Sequence, residues 1–112
     1  MIFAPSDFAR DPYGYVTNQA GHAYLVGMPF ALALAPWLGL IPTPIIAALV
    51  YGVVWEVIIQ RGRMWRDSFE DSVHVLAGAS VLCAALLGDW WAVAGCFAAQ
   101  AGLLGLGAWR RS

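Results

Sequence analysis

The sequence predicts an all-α membrane protein: four short transmembrane helices in an up-down bundle, a single domain over residues 1–112, with the N and C termini cytoplasmic. Three observations predict it. Of 112 residues, 61% are hydrophobic and only 12% charged, and the mean hydropathy is +0.67. A soluble domain of this size keeps roughly a quarter of its residues charged, and a water-soluble monomer of this composition would expose broad apolar patches. The apolar residues fall into four runs, at about 20–41, 44–60, 73–87 and 90–109. Finally, every basic residue is an arginine: Arg10, then Arg61, Arg63 and Arg66, then Arg110 and Arg111. Four spans put all of them on one side, which the positive-inside rule makes cytoplasmic. Three spans would split them.

Residues 1–19 are polar and aromatic, with Pro5, Pro12 and Gly14 as breakers. Ser6 or Asp7 is a candidate cap for a short interfacial turn. Phe3, Phe8, Tyr13 and Tyr15 suit the headgroup region, where rings meet water at one edge. Asp7, Arg10 and Asp11 precede the first run, where a cleaved signal peptide would carry net positive charge. The first run is long enough to cross a hydrocarbon core of roughly 30 Å. Pro29 and Pro36 are expected to kink it. Ala23, Gly27, Ala31, Ala35 and Gly39 recur every four residues, a ridge of small side chains that another helix can approach closely.

Ile41-Pro42-Thr43-Pro44 reads as a tight turn into the second run, which is apolar except for Glu56 and Gln60. Residues 61–71 form the one strongly charged stretch. The third helix is expected to begin near Asp67, before its apolar run at Val73. Gly88-Asp89 turns the chain into the fourth run, where Ala94, Ala98 and Gly102 repeat the small-residue spacing. Trp90, Trp91 and Trp109 mark its ends as an aromatic belt would. Cys83 and Cys96 have no zinc-ligand spacing and read as apolar filler.

His22, Glu56 and His74 lie on three different runs, all near the cytoplasmic end. Asp67, Asp71 and His74 are spaced i, i+4, i+7, hence on one helical face. Inward-turned, these faces would line a polar pocket open to the cytoplasmic interface, built from Asn18, His22, Glu56, Gln60, Asp67, Asp71 and His74. A carboxylate within lipid costs about 2.5–3.5 kcal/mol on insertion scales, so Glu56 must be protonated, paired or hydrated. Polar residues near helix ends also hold helices together, and Asp67, Glu70 and Asp71 also suit a first turn, where acids complement the helix dipole. Gln100, alone in the fourth run, is read as an interhelical hydrogen-bond former.

The stretch from Trp55-Glu56 through Asp67-x-x-x-Asp71 to Gly78-Ala79, with His22 opening the preceding run, resembles the small bacterial envelope membrane proteins of the VanZ-like type. The likeness covers about half the chain. Ala20-Gly21 stands where that family has a lysine or aspartate pair, and His74 is additional. The resemblance implies a multi-pass protein of the bacterial inner membrane with a role in cell-wall or lipid chemistry, and supplies no reaction.

Two function classes follow. One is a membrane-embedded enzyme acting on a lipid-linked or amphipathic envelope substrate. Glu56, His22, Asp67 and Asp71 are then the candidate catalytic residues. A divalent metal ion is the candidate cofactor, drawing its ligands from His22, Glu56, Asp67, Asp71 and His74; no H-E-x-x-H motif is present. The other is non-enzymatic: a phage holin or lysis-type pore former, or a structural accessory subunit of a larger membrane complex. The expected partners are the lipid bilayer, and further copies of the chain or a larger complex. A net charge of -1 gives no footprint for nucleic acid.

Overall fold

The computed structural model describes residues 8–59 and 65–112, apart from the side chains of Trp65 and Asp67. Residues 1–7, Gln60, Arg61, Arg63 and the Asp67 carboxylate, all used in the sequence reading, lie outside the described residues. Those described form four helices and no strand: α1 (Pro12–Leu38), α2 (Thr43–Ile59), α3 (Trp65–Leu87) and α4 (Trp90–Arg111). α1, α4 and the Ser68–Leu87 part of α3 are long and apolar enough to cross a membrane, whereas Thr43–Ile59 is shorter.

α1 starts well before its apolar run. The Asp11 carboxylate accepts the Gly14 N–H at 2.8 Å, capping one of the orphan donors of the first turn. Pro12 fills the first helical position, where no N–H is needed. The polar segment 13–19 therefore continues the helix. Inside α1, His22–Gly27 is a π-helical stretch, and the Met28 N–H reaches back to the Ala23 carbonyl. Pro29 follows directly and brings no N–H of its own to the ladder. The wide turn thus sits where the sequence predicts a kink. α1 ends at Gly39, whose φ of 82° no side-chain-bearing residue adopts readily.

Thr43 and Pro44 open α2, and the Thr43 hydroxyl donates to the Gly39 carbonyl. α2 also finishes in a π-helical stretch, Val54–Ile59. α3 begins at Trp65, ahead of its apolar run as predicted. Gly88, with φ 74°, reverses the chain, and Asp89 caps α4 by accepting the Ala92 N–H at 3.1 Å.

α3 is the central helix. It packs on α1, α2 and α4, while the backbones of α2 and α4 do not approach each other among the described residues. The α1–α3 crossing is close because glycine faces backbone. A Cβ on Gly78 would collide with the backbone of Ala23, and one on Gly27 would lie 2.5 Å from the Val75 carbonyl oxygen. Beyond that crossing, Ala31, Ala47, Ala79 and Cys83 form a small-residue core. Both cysteines are free thiols, and Cys83 is buried.

Candidate functional site

α3 presents its polar turns to two neighbours, and two hydrogen-bonded sets result. The first joins α3 to α1. Asp71 is buried, and its Oδ1 accepts from Gln19 Nε2 at 2.8 Å. Its Oδ2 lies 3.4 Å from His22 Nε2. The opposite ring nitrogen, His22 Nδ1, is 2.9 Å from the carbonyl oxygen of Asn18. Tyr51 of α2 meets the His22 ring edge-on, with centroids 5.7 Å apart, and stacks on Trp55.

The second set joins α3 to α4 and to the start of α1. Gln100 Nε2 is 3.0 Å from His74 Nδ1. His74 Nε2 is 3.4 Å from the Tyr15 hydroxyl, which donates to Glu70 Oε1 at 2.7 Å. Arg111 lies 3.8 Å from the other Glu70 oxygen, stacks over the Tyr15 ring at 3.7 Å and donates to the Gly107 carbonyl. With Gln100 donating, Nδ1 of His74 accepts, so its Nε2 carries the hydrogen and donates to Tyr15. Every member then has one direction, from the Gln100 amide to the Glu70 carboxylate, whose charge faces Arg111.

A third contact, between α2 and α3, involves Glu56. This residue is fully buried within the π stretch of α2, and its carboxylate accepts from the Ser68 hydroxyl of α3. These two border a largely apolar groove of about 390 Å³ between α2 and α3, along with Gly52, Phe69 and Ser72. His22 borders a separate groove of about 530 Å³ with Tyr13, Thr17, Asn18 and Leu25. Both π-helical stretches thus carry a buried ionisable residue, His22 in one and Glu56 in the other. Such wide turns recur at functional sites.

The expectation of one pocket is therefore divided. The structure brings His22 and Asp71 together and sends His74 elsewhere. Asp71 and His74 are three residues apart, about 60° around the helix, which is enough to give them different neighbours. Asp67 stays outside the described side chains. Among the described residues, no three His, Cys, Asp or Glu side chains converge as a metal-ligand set; of the candidate ligands His22, Glu56, Asp67, Asp71 and His74, the structure pairs His22 with Asp71. Gln100 does form the interhelical hydrogen bond expected of it. Tyr15, Gln19 and Ser68 are members that the sequence reading passed over. Tyr15, Gln19 and His22 are spaced i, i+4, i+7, the signal that would have found two of them.

Compared with known proteins, the chain matches no family model, no curated protein and no solved structure.

Proposed function

We propose that this chain is a small multi-pass protein of the bacterial inner membrane, with its ends and the charged 61–71 stretch cytoplasmic, and that His22 and Asp71 form an acid/base site for an amphipathic or lipid-linked envelope substrate. The observation that carries this reading is the His22–Asp71 contact, 3.4 Å long and buried, whose His22 borders a groove of about 530 Å³. That groove combines apolar Leu25 with polar Thr17 and Asn18, a lining suited to a molecule with a headgroup and a tail. Asp71 stands behind His22 as an orienting carboxylate, held in turn by Gln19. Glu56 supports the same reading as a second buried carboxylate, bordering the groove between α2 and α3. The VanZ-like layout of His22, Glu56, Asp67, Asp71 and Gly78-Ala79 belongs to this proposal, as does the membrane topology.

The test is purification from membranes followed by native mass spectrometry for retained lipid, in wild type and in His22→Gln, Asp71→Asn and Glu56→Gln. Lipid-linked species retained by wild type and lost or left unprocessed in His22→Gln and Asp71→Asn are the expected result. Equal retention and processing in all four proteins would remove the site.

A second, non-enzymatic reading rests on α4. Ala94, Ala98 and Gly102 are exposed, and a Cβ on Gly95, Gly102 or Gly105 would meet nothing within 4 Å. An accessory subunit or a pore-forming assembly of the holin type would use such a face. Stoichiometric copurification of a larger complex, or abrupt collapse of membrane potential on induction, would favour it over the enzyme.

A further inference from the structure

We infer that the end of the bundle where α1 and α3 begin and α4 finishes carries an exposed rim, Arg10, Arg66 and Arg110, that binds the phosphates of anionic phospholipids. The three helix ends form one surface because a single seam fastens them. Tyr15 of α1 donates to Glu70 of α3 at 2.7 Å. Arg111 of α4 lies over the Tyr15 ring at 3.7 Å and stands 3.8 Å from Glu70. Arg10 shortly precedes Tyr15, Arg66 is one turn ahead of Glu70, and Arg110 is next to Arg111. All three arginines are exposed.

Charge at this end is sorted between inside and outside. Glu56 and Asp71 are buried, and Glu70 faces Arg111. Asp11 is exposed, with one oxygen taken by the Gly14 N–H that it caps. Among the described residues, no acid pairs with Arg10, Arg66 or Arg110. Their guanidinium donors are left to the surroundings, and a guanidinium forks onto two oxygens of one phosphate.

Each of these arginines also has an exposed ring close by in the chain. Tyr13 is 84% exposed, Phe69 72% and Trp109 73%. Such rings settle at headgroup level, which sets the arginines at the depth of the phosphates. The rings select a lipid as the partner. An acidic protein docking from water would meet the arginines and leave three large rings uncovered. The opposite end sharpens the point. Trp37, Trp90 and Trp91 are just as exposed there, but the charged residue beside them is Asp89 and no arginine is near. Both ends carry aromatic anchors, and one of them is built for anions.

The inference rests on the membrane topology of the proposed function and not on its reaction. The full chain is reconstituted in nanodiscs holding equal amounts of phosphatidylglycerol and phosphatidylcholine with matched acyl chains. Native mass spectrometry then counts the lipids that stay bound on release. Both leaflets have the same composition, so orientation does not matter. Bound phosphatidylglycerol should exceed phosphatidylcholine about fivefold for each arginine engaged, the value of one basic residue at an anionic surface. High salt should shrink the excess. Arg10→Gln, Arg66→Gln and Arg110→Gln combined should cut it at least about fivefold on the same basis. Lysine at the same three positions should keep most of it, and Trp37→Ala with Trp90→Ala should leave it unchanged. Should the combined glutamine variant fail to accumulate, the salt series on wild type decides. Headgroup parity in wild type, or a preference untouched by loss of the three arginines or by salt, overturns the inference. So does an acidic protein that copurifies through these arginines while the headgroups stay at parity. Parity in an inserted chain removes the rim and leaves the His22–Asp71 site standing, whereas a chain that stays in water without lipid removes the topology beneath both.

Discussion

Ala23, Gly27 and Ala31 on α1 recur every four residues, and so do Ala94, Ala98 and Gly102 on α4. The first row is buried against α3; the second is exposed along its length. Correspondingly, 44% of the most apolar window of α3 is buried within the molecule but only 11% of that of α4. The difference lies in what faces each row. α3 answers the α1 row with Gly78 and Ala79, so backbones meet, and Asp71 reaches across to Gln19 and His22 one turn further on. α4 docks by its opposite face, through Gln100 and Gly107, seven residues apart and so on one side of the helix. A ridge of small residues states that a helix can be approached closely. It does not state by what, and in lipid no hydrophobic drive between helices chooses the partner.

The comparison can be broken most severely at Gly78. Gly78→Val should part α1 from α3 and cost at least about 3 kcal/mol, the upper end of overpacking losses, seen as loss of a thermal transition in detergent or failure to accumulate. Next comes the polar fastening on the same interface. Asp71→Ala leaves His22 and Gln19 buried without their acceptor, and about 2 kcal/mol of stability should go with it; a shift in the detergent melting midpoint measures this. Gln100→Leu, which removes the bond to His74 where α4 docks, should cost about 1 kcal/mol, within the range of interhelical hydrogen bonds in membranes. The smallest effect is expected at Gly102→Ala, a stabilisation of about 0.5 kcal/mol from reduced backbone freedom, because that position has open space above it. Destabilisation at Gly102 in native membranes, absent in purified monomer, would instead show that a partner covers the α4 row.

The helices and their turns were largely legible in the sequence, because apolar runs bounded by Gly39, Pro42 and Gly88-Asp89 leave few alternatives. The start of α1 was not, since residues 13–19 are polar and hydropathy is blind to a helix that continues beyond its apolar run. The cap signal Asp11-Pro12 was present and outweighed by composition. The π-helical stretches have no periodicity of their own to read; only Pro29 hints at the first. For the site, the sequence singled out His22, Glu56 and His74, each toward the same expected end of its run. The choice of partner could not be read from it. Helical spacing places Asp71 and His74 on adjoining faces, and only the packing of α1 and α4 around α3 decides that one meets His22 and the other Gln100.

Arg111 stacking on Tyr15 joins residues that leave the ribosome far apart in time. Glu70 is made well before its guanidinium counterpart, so a chain that stops short of the last turn of α4 keeps the Tyr15–Glu70 hydrogen bond and lacks the Arg111 that faces both partners.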